Sequence, residues 1–301
     1  MTRIATIPLQ QSMSDAIQRS QQKLAVSQAQ LSTGKKAPDF ASLGAQAVRN
    51  LSAHSLVSRE KAHSEVASQV GTTLSIYDSN ISAIETMASD LKQSATAAIG
   101  TQDSTGLQDA INAAFAQFRS SMNATAGGVP IFSGSQTSLP FTPEKLADTA
   151  GLDPSNAFTN DQVRASARVG DGIDVQYGVT ASELGTDMLA AFRTLAEAGT
   201  FGDRPTEAQT QALRSAIGQI GDALGNIRGV NAENGRKQAQ LETLGTRADQ
   251  RSLIYQDVIG RNEDADLGQV AIDLAQQQAV LQASYAVFGK LSGLSLADYL
   301  R

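Results

Sequence analysis

The stretch "LGQVAIDLAQQQAVLQASYAVF", residues 267–288, decides the fold. Leu267, Leu274, Leu281 and Phe288 recur every seven residues, and Val270, Gln277, Ser284 and Leu291 fill the complementary positions of one seam. Apolar side chains at this spacing mark a helix that packs along another helix. The partner stands at the other end of the chain. A helix expected from about Leu9 to Ser32 carries Ile17, Leu24 and Leu31 at the same spacing, with Ser20 and Ser27 between them. The two ends are therefore expected to pair as a coiled coil. Its seam is thin, because each Ser or Gln in place of a buried Leu forfeits roughly 1.5–3 kcal/mol. Two such helices alone make a marginal hairpin that calls for more neighbours.

Working inward, Val70, Tyr77, Ile84 and Leu91, with Leu74, Ile81, Ala88 and Ala95 as companions, predict a helix over roughly 45–99. "GTQDSTG" (100–106) breaks it, and Leu107, Ile111, Phe115, Phe118 and Met122 predict a shorter helix ended by Gly127 and Gly128. Beyond the middle, Leu213, Ile217, Ile220, Leu224 and Ile227 step by four and three, and the pattern resumes at Leu241, Leu244, Ala248, Tyr255 and Val258. A helix over about 206–259 follows, either continuous or broken near Gly229 or Gly235, since each costs about 1 kcal/mol inside a helix.

Only the middle departs from helix. "VRASARVGDGIDVQYGVT" (163–180) alternates apolar and polar residues on both sides of Asp171-Gly172, the signal of a β-hairpin. "GGVPIFSGSQTSLPF" (127–141) suggests a short strand around Ile131 and Phe132. The expected fold class is mainly α with a small β insertion: a long antiparallel helical bundle in which both chain ends form the coiled coil. The expected domains are 1–44 with 261–301 for the terminal coiled coil, 45–127 with 181–260 for a long-helix rod, and 128–180 for a β-rich insertion.

Composition narrows the function classes. The chain of 301 residues is 41% hydrophobic but only 5% aromatic, which suits long thin helical packing better than a thick core. Its net charge of -6 argues against a broad nucleic-acid footprint. No stretch approaches the roughly 20 apolar residues that span a bilayer, so no membrane insertion is expected. The absence of cysteine removes disulfides, thiolate catalysis and cysteine metal sites together. The start "MTRIATIPLQQSMSDAIQRS" has no apolar signal-peptide core, so the protein is expected either to remain in the cytoplasm or to leave by a route needing no cleaved signal.

Motifs with chemical potential read as structure. "LSTGKKAPDF" (31–40) lacks the earlier glycine and following hydroxyl of a phosphate loop, whereas Gly34, two lysines and Pro38 suit a helix C-terminus. His54 and His63 are nine apart with no carboxylate at metal-ligand spacing and are expected on a polar helix face. "NEDADLG" (262–268) lacks the closing Glu of a calcium loop, and Asp264 or Asp266 is expected to cap the last helix. No catalytic, cofactor or metal site is assigned. The chain is expected not to be an enzyme but to act through its interactions.

The two ends together carry a resemblance. "MTRIATIPLQ", the heptad helix and "QAQLSTGKKAPD" look like the amino end of the flagellin superfamily, and "NEDADLGQVAIDLAQQQAVLQASYAVFGKLSGLSLADYLR" is similar to its closing helix. "IFSGSQTSLPF" (131–141) and the single short insertion "RVGDGIDVQYGVT" (168–180) resemble the hook–filament junction family, the third hook-associated proteins, within it. One departure stands out: where the superfamily follows its Gly-Lys turn with two aspartates and a proline, this chain has Pro38-Asp39-Phe40-Ala41.

The resemblance implies a structural subunit of the bacterial flagellum, outside the cell at the junction of hook and filament. It implies export in unfolded form, terminal helices packed into an inner tube, and an insertion that points outward. "LSTGKK" then ends the inner-layer helix and begins a spoke. The implied partners are hook-associated and filament proteins, further copies of the chain in a ring or helical array, and an export chaperone. The implied assembly interface comprises Ile17, Leu24, Leu31, Leu267, Leu274, Leu281, Phe288, Leu294, Leu296 and Leu300. The alternative within the same superfamily is a filament flagellin with a reduced outer domain.

Overall fold

The computed structural model describes residues 3–299, and the side chains of residues 11–290. Along the chain run α1 (Arg3–Thr33), a 3-10 turn (Ala41–Gln46), α2 (Ala47–Thr101), α3 (Leu107–Met122), β1 (Thr125–Ala126) and β2 (Val129–Pro130). Then come a short α4 (Pro154–Ala157), β3 (Ala165–Gly170), β4 (Ile173–Tyr177), α5 (Ala181–Glu197), α6 (Glu207–Glu263) and α7 (Leu267–Tyr299). The long helices and two small two-stranded sheets are the expected class, mainly α with a small β insertion. The chain divides into a terminal unit, residues 1–59 with 251–301, and a middle unit, residues 60–250.

The middle unit holds the main core. Leu74, Ile81, Ile84 and Leu91 of α2, Ile111, Phe115 and Phe118 of α3, and Ile220 and Ile227 of α6 are all buried, as their three-and-four spacing predicts. The fourth wall is α5, where Leu184, Met188, Phe192 and Leu195 recur at the same spacing. Phe118 packs edge-to-face on Phe141 at 5.2 Å and tilted on Phe192 at 5.4 Å, so the β insertion shares the helices' core. Gly185 makes this approach feasible: a Cβ there would lie 3.0 Å from the ring of Phe118 and 3.1 Å from that of Phe158. Buried Asn234 of α6 donates to the backbone carbonyl of Leu74, tying α6 to α2 at a fixed register. No break occurs at Gly229 or Gly235, because the buried neighbours Ile227 and Asn234 hold the helix across both.

The hairpin forms as read, with β3 and β4 antiparallel around Asp171-Gly172 and a register shift between Arg168 and Gly170. The other strand reading is corrected. Ile131 and Phe132 are not in a strand: β1 and β2 precede them, paired across the Gly127-Gly128 turn. Both side chains instead turn into the core, where Phe132 meets Tyr77 edge-to-face at 5.2 Å. Tyr77 donates its hydroxyl to the carbonyl of Ile131, and burial pushes its pKa up to about 12. The "FSGSQ" segment closes on Asp161, whose carboxylate accepts from Ser135 N at 2.9 Å, Ser135 Oγ, Val163 N at 3.0 Å and Gln136 Nε2 at 3.2 Å. Those donors, Ser135 foremost, hold the Asp161 pKa down at about 2.

The terminal unit is built differently. Its helices α1 and α7 pair antiparallel, with Gln21 opposite Tyr285 and Ser27 opposite Gln277. Where α2 begins and α6 ends, Ala53, Val57 and Ile259 form a small buried cluster with Tyr255 and Val258 against it.

Candidate assembly interface

The α1/α7 seam follows the seven-residue reading. Ile17 and Leu24 on α1, and Leu274, Leu281 and Phe288 on α7, are half-buried, with Val270 and Ser27 buried. Polar residues span the seam as well: Ser27 Oγ donates to Gln277 Oε1 at 3.3 Å, and Gln21 Nε2 donates to the Tyr285 hydroxyl at 2.6 Å. Leu31 and Leu267, at 43% and 47%, stay exposed where the helices reach the turn. The side chains of Leu294 and Leu296 lie outside the described residues, as does all of Leu300.

The turn itself is a polar elbow. Gly34 ends α1 in the left-handed conformation, φ +70°, and its N–H donates to Gln30 O at 2.8 Å, the C-cap role its sequence context suggests. Lys36 N donates to Glu263 O at 2.6 Å and Ala265 N to Gly34 O at 2.8 Å, joining the two connections as a short antiparallel bridge. Lys35 Nζ lies 2.7 Å from Asp264 Oδ1 and 3.1 Å from Glu263 Oε2. On its other side Glu263 accepts from Asn50 Nδ2 and lies 2.6 Å from His54 Nε2, both on α2. Lys36 Nζ donates to the carbonyl of Arg261, satisfying the last turn of α6. Phe40 sets its ring edge-on against His54, 5.7 Å away.

The electrostatics follow from this crowding of donors. Burial alone would raise the Glu263 pKa, but hydrogen bonds from His54, Asn50 and Lys35 outweigh it and hold the carboxyl below its ordinary value. Hydrogen bonds to Asp264 and then Glu263 hold the Lys35 ammonium above its own. Asp266, not Asp264, caps α7, accepting from Gly268 N and Gln269 N at 3.0 and 3.1 Å. The histidines are corrected too. His54 is a partner of Glu263, and His63 is half-buried near Glu60 rather than on an open polar face.

Among the described residues, sixteen large apolar side chains are exposed, and twelve lie in the terminal unit. They are Val26 and Leu31 of α1, Phe40, Val48 and Leu51 around the start of α2, Leu253 and Ile254 of α6, and Leu267, Ile272, Val280, Tyr285 and Val287 of α7. Ile272, Val280 and Val287 step along one flank of α7, beside the seam and not in it. An open groove of about 400 Å³ runs along that flank, lined by Ala16, Arg19, Ser20 and Lys23 of α1 and Asp273, Gln276, Gln277 and Val280 of α7. Of the heptad residues read from the sequence, Ile17, Leu24, Leu274, Leu281 and Phe288 are partly covered in the α1/α7 pair. The outward set was visible only as the apolar residues left over.

Among the described residues no cluster of His, Asp or Glu is arranged to hold a metal ion, and no helix is long and apolar enough to cross a membrane. No curated protein matches the sequence. The fold is that of solved flagellar proteins. A Vibrio parahaemolyticus chain described as a flagellar hook-associated protein superposes with a TM-score of 0.60 at 18% identity, over 72% of this chain and 97% of that one. FlgL from Bacillus cereus superposes with a TM-score of 0.52 at 15% identity, over 69% of this chain and 95% of its own. In sequence, the profile of the bacterial flagellin N-terminal helical region matches residues 4–137, from α1 through α3 into the "IFSGSQ" turn. Over that stretch, a little under half of the chain, the sequence is similar to the amino-terminal helical region of bacterial flagellins.

Proposed function

We propose that the chain is a structural adaptor joining hook to filament in the bacterial flagellum, exported unfolded and assembled through its α1/α7 pair. The observation that carries this reading is the concentration of exposed apolar side chains in the terminal unit, where the α1/α7 seam is too thin to bury them. Isolated apolar residues on a surface need no explanation, but a recurrent stripe beside a groove marks an interaction face. Its occupants are further copies of the chain and the adjoining hook-associated and filament proteins, with an export chaperone covering it beforehand. The site is the flagellum outside the cell. The insertion over 128–180 is the outward domain, 45–127 with 181–260 the rod, and 1–44 with 261–301 the inner layer. The likeness to two hook-associated folds and the short insertion favour the junction over the filament body.

An epitope placed between the exposed Thr137 and Ser138 and located by immunogold electron microscopy tests the assignment. A narrow band where hook meets filament is expected. Label along the whole filament would make the chain a filament flagellin, and full-length protein found only inside cells would remove the flagellar role.

A further inference from the structure

We propose that Asn234–Gly235, the one Asn-Gly step in the chain, is a spontaneous modification site that is open only while the chain is unfolded, and that its product cannot rebuild α6. The chemistry belongs to the chain itself and stands whether or not that chain is exported, so it is separable from the role proposed above.

An asparagine followed by glycine is a step at which the backbone can attack the side chain. The deprotonated Gly235 nitrogen adds to Asn234 Cγ, the Cγ–Nδ2 bond breaks and ammonia leaves, closing a five-membered succinimide. Water then opens the ring at either carbonyl. The products are aspartate and isoaspartate, in which the main chain runs through the side chain and gains one methylene. No oxidant or reductant is needed. Glycine favours the step because it has no Cβ beside the attacking nitrogen and reaches dihedral angles that other residues avoid. In the folded chain the two partners are held apart. Gly235 lies inside the continuous α6, where its N–H points along the axis to the preceding turn and not toward Asn234 Cγ. Asn234 is 3% exposed, and its Nδ2 donates to Leu74 O at 2.9 Å, which holds the carboxamide on α2 and out of bulk water.

Nothing in the folded structure requires a glycine at 235. Open space surrounds the position of a Cβ there, and glycine is among the poorest residues for a helix interior. The products, by contrast, do not fit. Aspartate at 234 loses the donor and sets a carboxylate against the Leu74 carbonyl oxygen, acceptor against acceptor, at a buried position. Lys237 and Arg164, which line the same small cavity of about 60 Å³, already pair with Glu233 and Glu183. Isoaspartate lengthens the backbone in mid-helix and shifts the register that Ile227 and Leu241 keep against the core on either side. A chain that stays unfolded therefore has a limited time in which it can still form its middle unit. A folded one is protected by the equilibrium for opening α6, roughly a thousandfold or more in a typical domain.

Peptide mass spectrometry on the full chain tests this. Trypsin releases residues 229–236, which hold Asn234 and, as an internal control, Asn231 before Ala232. Kept in guanidinium at neutral pH, the chain should convert Asn234 to aspartate and isoaspartate while Asn231 stays intact. The native chain, incubated for the same time, should keep both. After the denaturant is removed, the converted fraction should fail to regain the melting transition of the middle unit. Asn234→Asp, which installs one product directly, should lower that melting temperature by several degrees. Gly235→Ala should melt no lower than the wild type, lose most of the conversion and refold fully after the same incubation. Equal conversion at Asn231 and Asn234, equal conversion in native and unfolded chain, full refolding of the converted fraction, or an Asn234→Asp variant that melts like the wild type would each overturn the proposal.

Discussion

Val280 and Val287 separate assembly from folding, and replacing both with aspartate is the sharpest test of the proposed interface. They are seven residues apart on one flank of α7, 50% and 48% exposed, next to the groove that Arg19 and Lys23 line from α1. Fully burying a valine is worth roughly 1.5–3 kcal/mol, so the half of each side chain still in water holds about 1 kcal/mol for a partner to gain. The double variant therefore forfeits about 2 kcal/mol at each contact, a factor of roughly 30 in affinity. Desolvating the new carboxylates adds a further cost, so that figure is a lower bound. The single chain should scarcely notice, because Val and Asp have similar helix propensities and surface changes usually stay within about 0.5 kcal/mol. Three measurements decide it: circular dichroism of purified chain, its amount in culture medium, and its amount on sheared flagella. The expected result is unchanged helicity, undiminished release into the medium and strongly reduced incorporation. Leu281→Asp, in the seam, should instead lower helicity as well. Wild-type incorporation of the double variant would refute the interface, and loss of release with normal helicity would assign this flank to export.

Four further predictions concern the fold. The terminal unit should be most stable between about pH 4.5 and 10.5: the Glu263 contribution is full above its ordinary value of 4.5 and lost as pH falls through its depressed folded pKa, whereas that of Lys35 is full below 10.5 and lost as pH rises through its elevated one. Exchange of α1 and α7 peptides across pH, corrected for intrinsic rates, checks this, and Glu263→Gln should flatten the acid limb. Gly229→Ala, with nothing within 4 Å of the new Cβ, should stabilise by about 1 kcal/mol, raising the melting temperature of the middle unit by about 2–4 °C. Gly185→Ala gains the same propensity but overpacks Phe118 and Phe158 at a cost of about 1–3 kcal/mol, so calorimetry should show no gain or a loss. Asp161, with its pKa near 2, supports the "FSGSQ" turn above about pH 3.8 and releases it as pH falls toward 2, so peptides covering 131–136 should lose protection there unless Asp161→Asn has already removed the step.

The helices were legible because burial is periodic, and a residue in Leu74's environment has few alternatives. The hairpin was legible because Asp171-Gly172 supplies its turn and the flanking residues alternate. Helix α5 carried the same signal in Leu184, Met188, Phe192 and Leu195 and needed only to be counted. Ile131 and Phe132 misled because an apolar pair next to Pro130 and Gly134 looks the same whether it enters a strand or turns inward to Tyr77. The elbow was not legible at all. Lys35 and Asp264 are 229 residues apart, each in a stretch that reads as helix punctuation, and only the pairing of α1 with α7 brings them within 2.7 Å. His54 belongs to the same category, since its carboxylate lies 209 residues away.

The two units solve the burial problem in opposite ways, and this difference bears on function more directly than any single motif. The largest fully buried side chains, Phe118, Phe132, Phe141 and Phe192 among them, all belong to the middle unit, which meets its conformational entropy from its own core. The terminal unit has Ala53, Val57 and Ile259 as its cluster and a seam diluted by Ser20, Ser27, Gln277 and Ser284. A monomeric protein has no reason to leave Ile272, Val280 and Val287 in water beside a groove while placing serines in the seam between α1 and α7. A subunit with the role proposed above, exported unfolded and then bound by its neighbours, does. In that role a richer seam would trap the terminal pair before it met a partner, whereas a thin seam leaves most of the apolar gain for assembly.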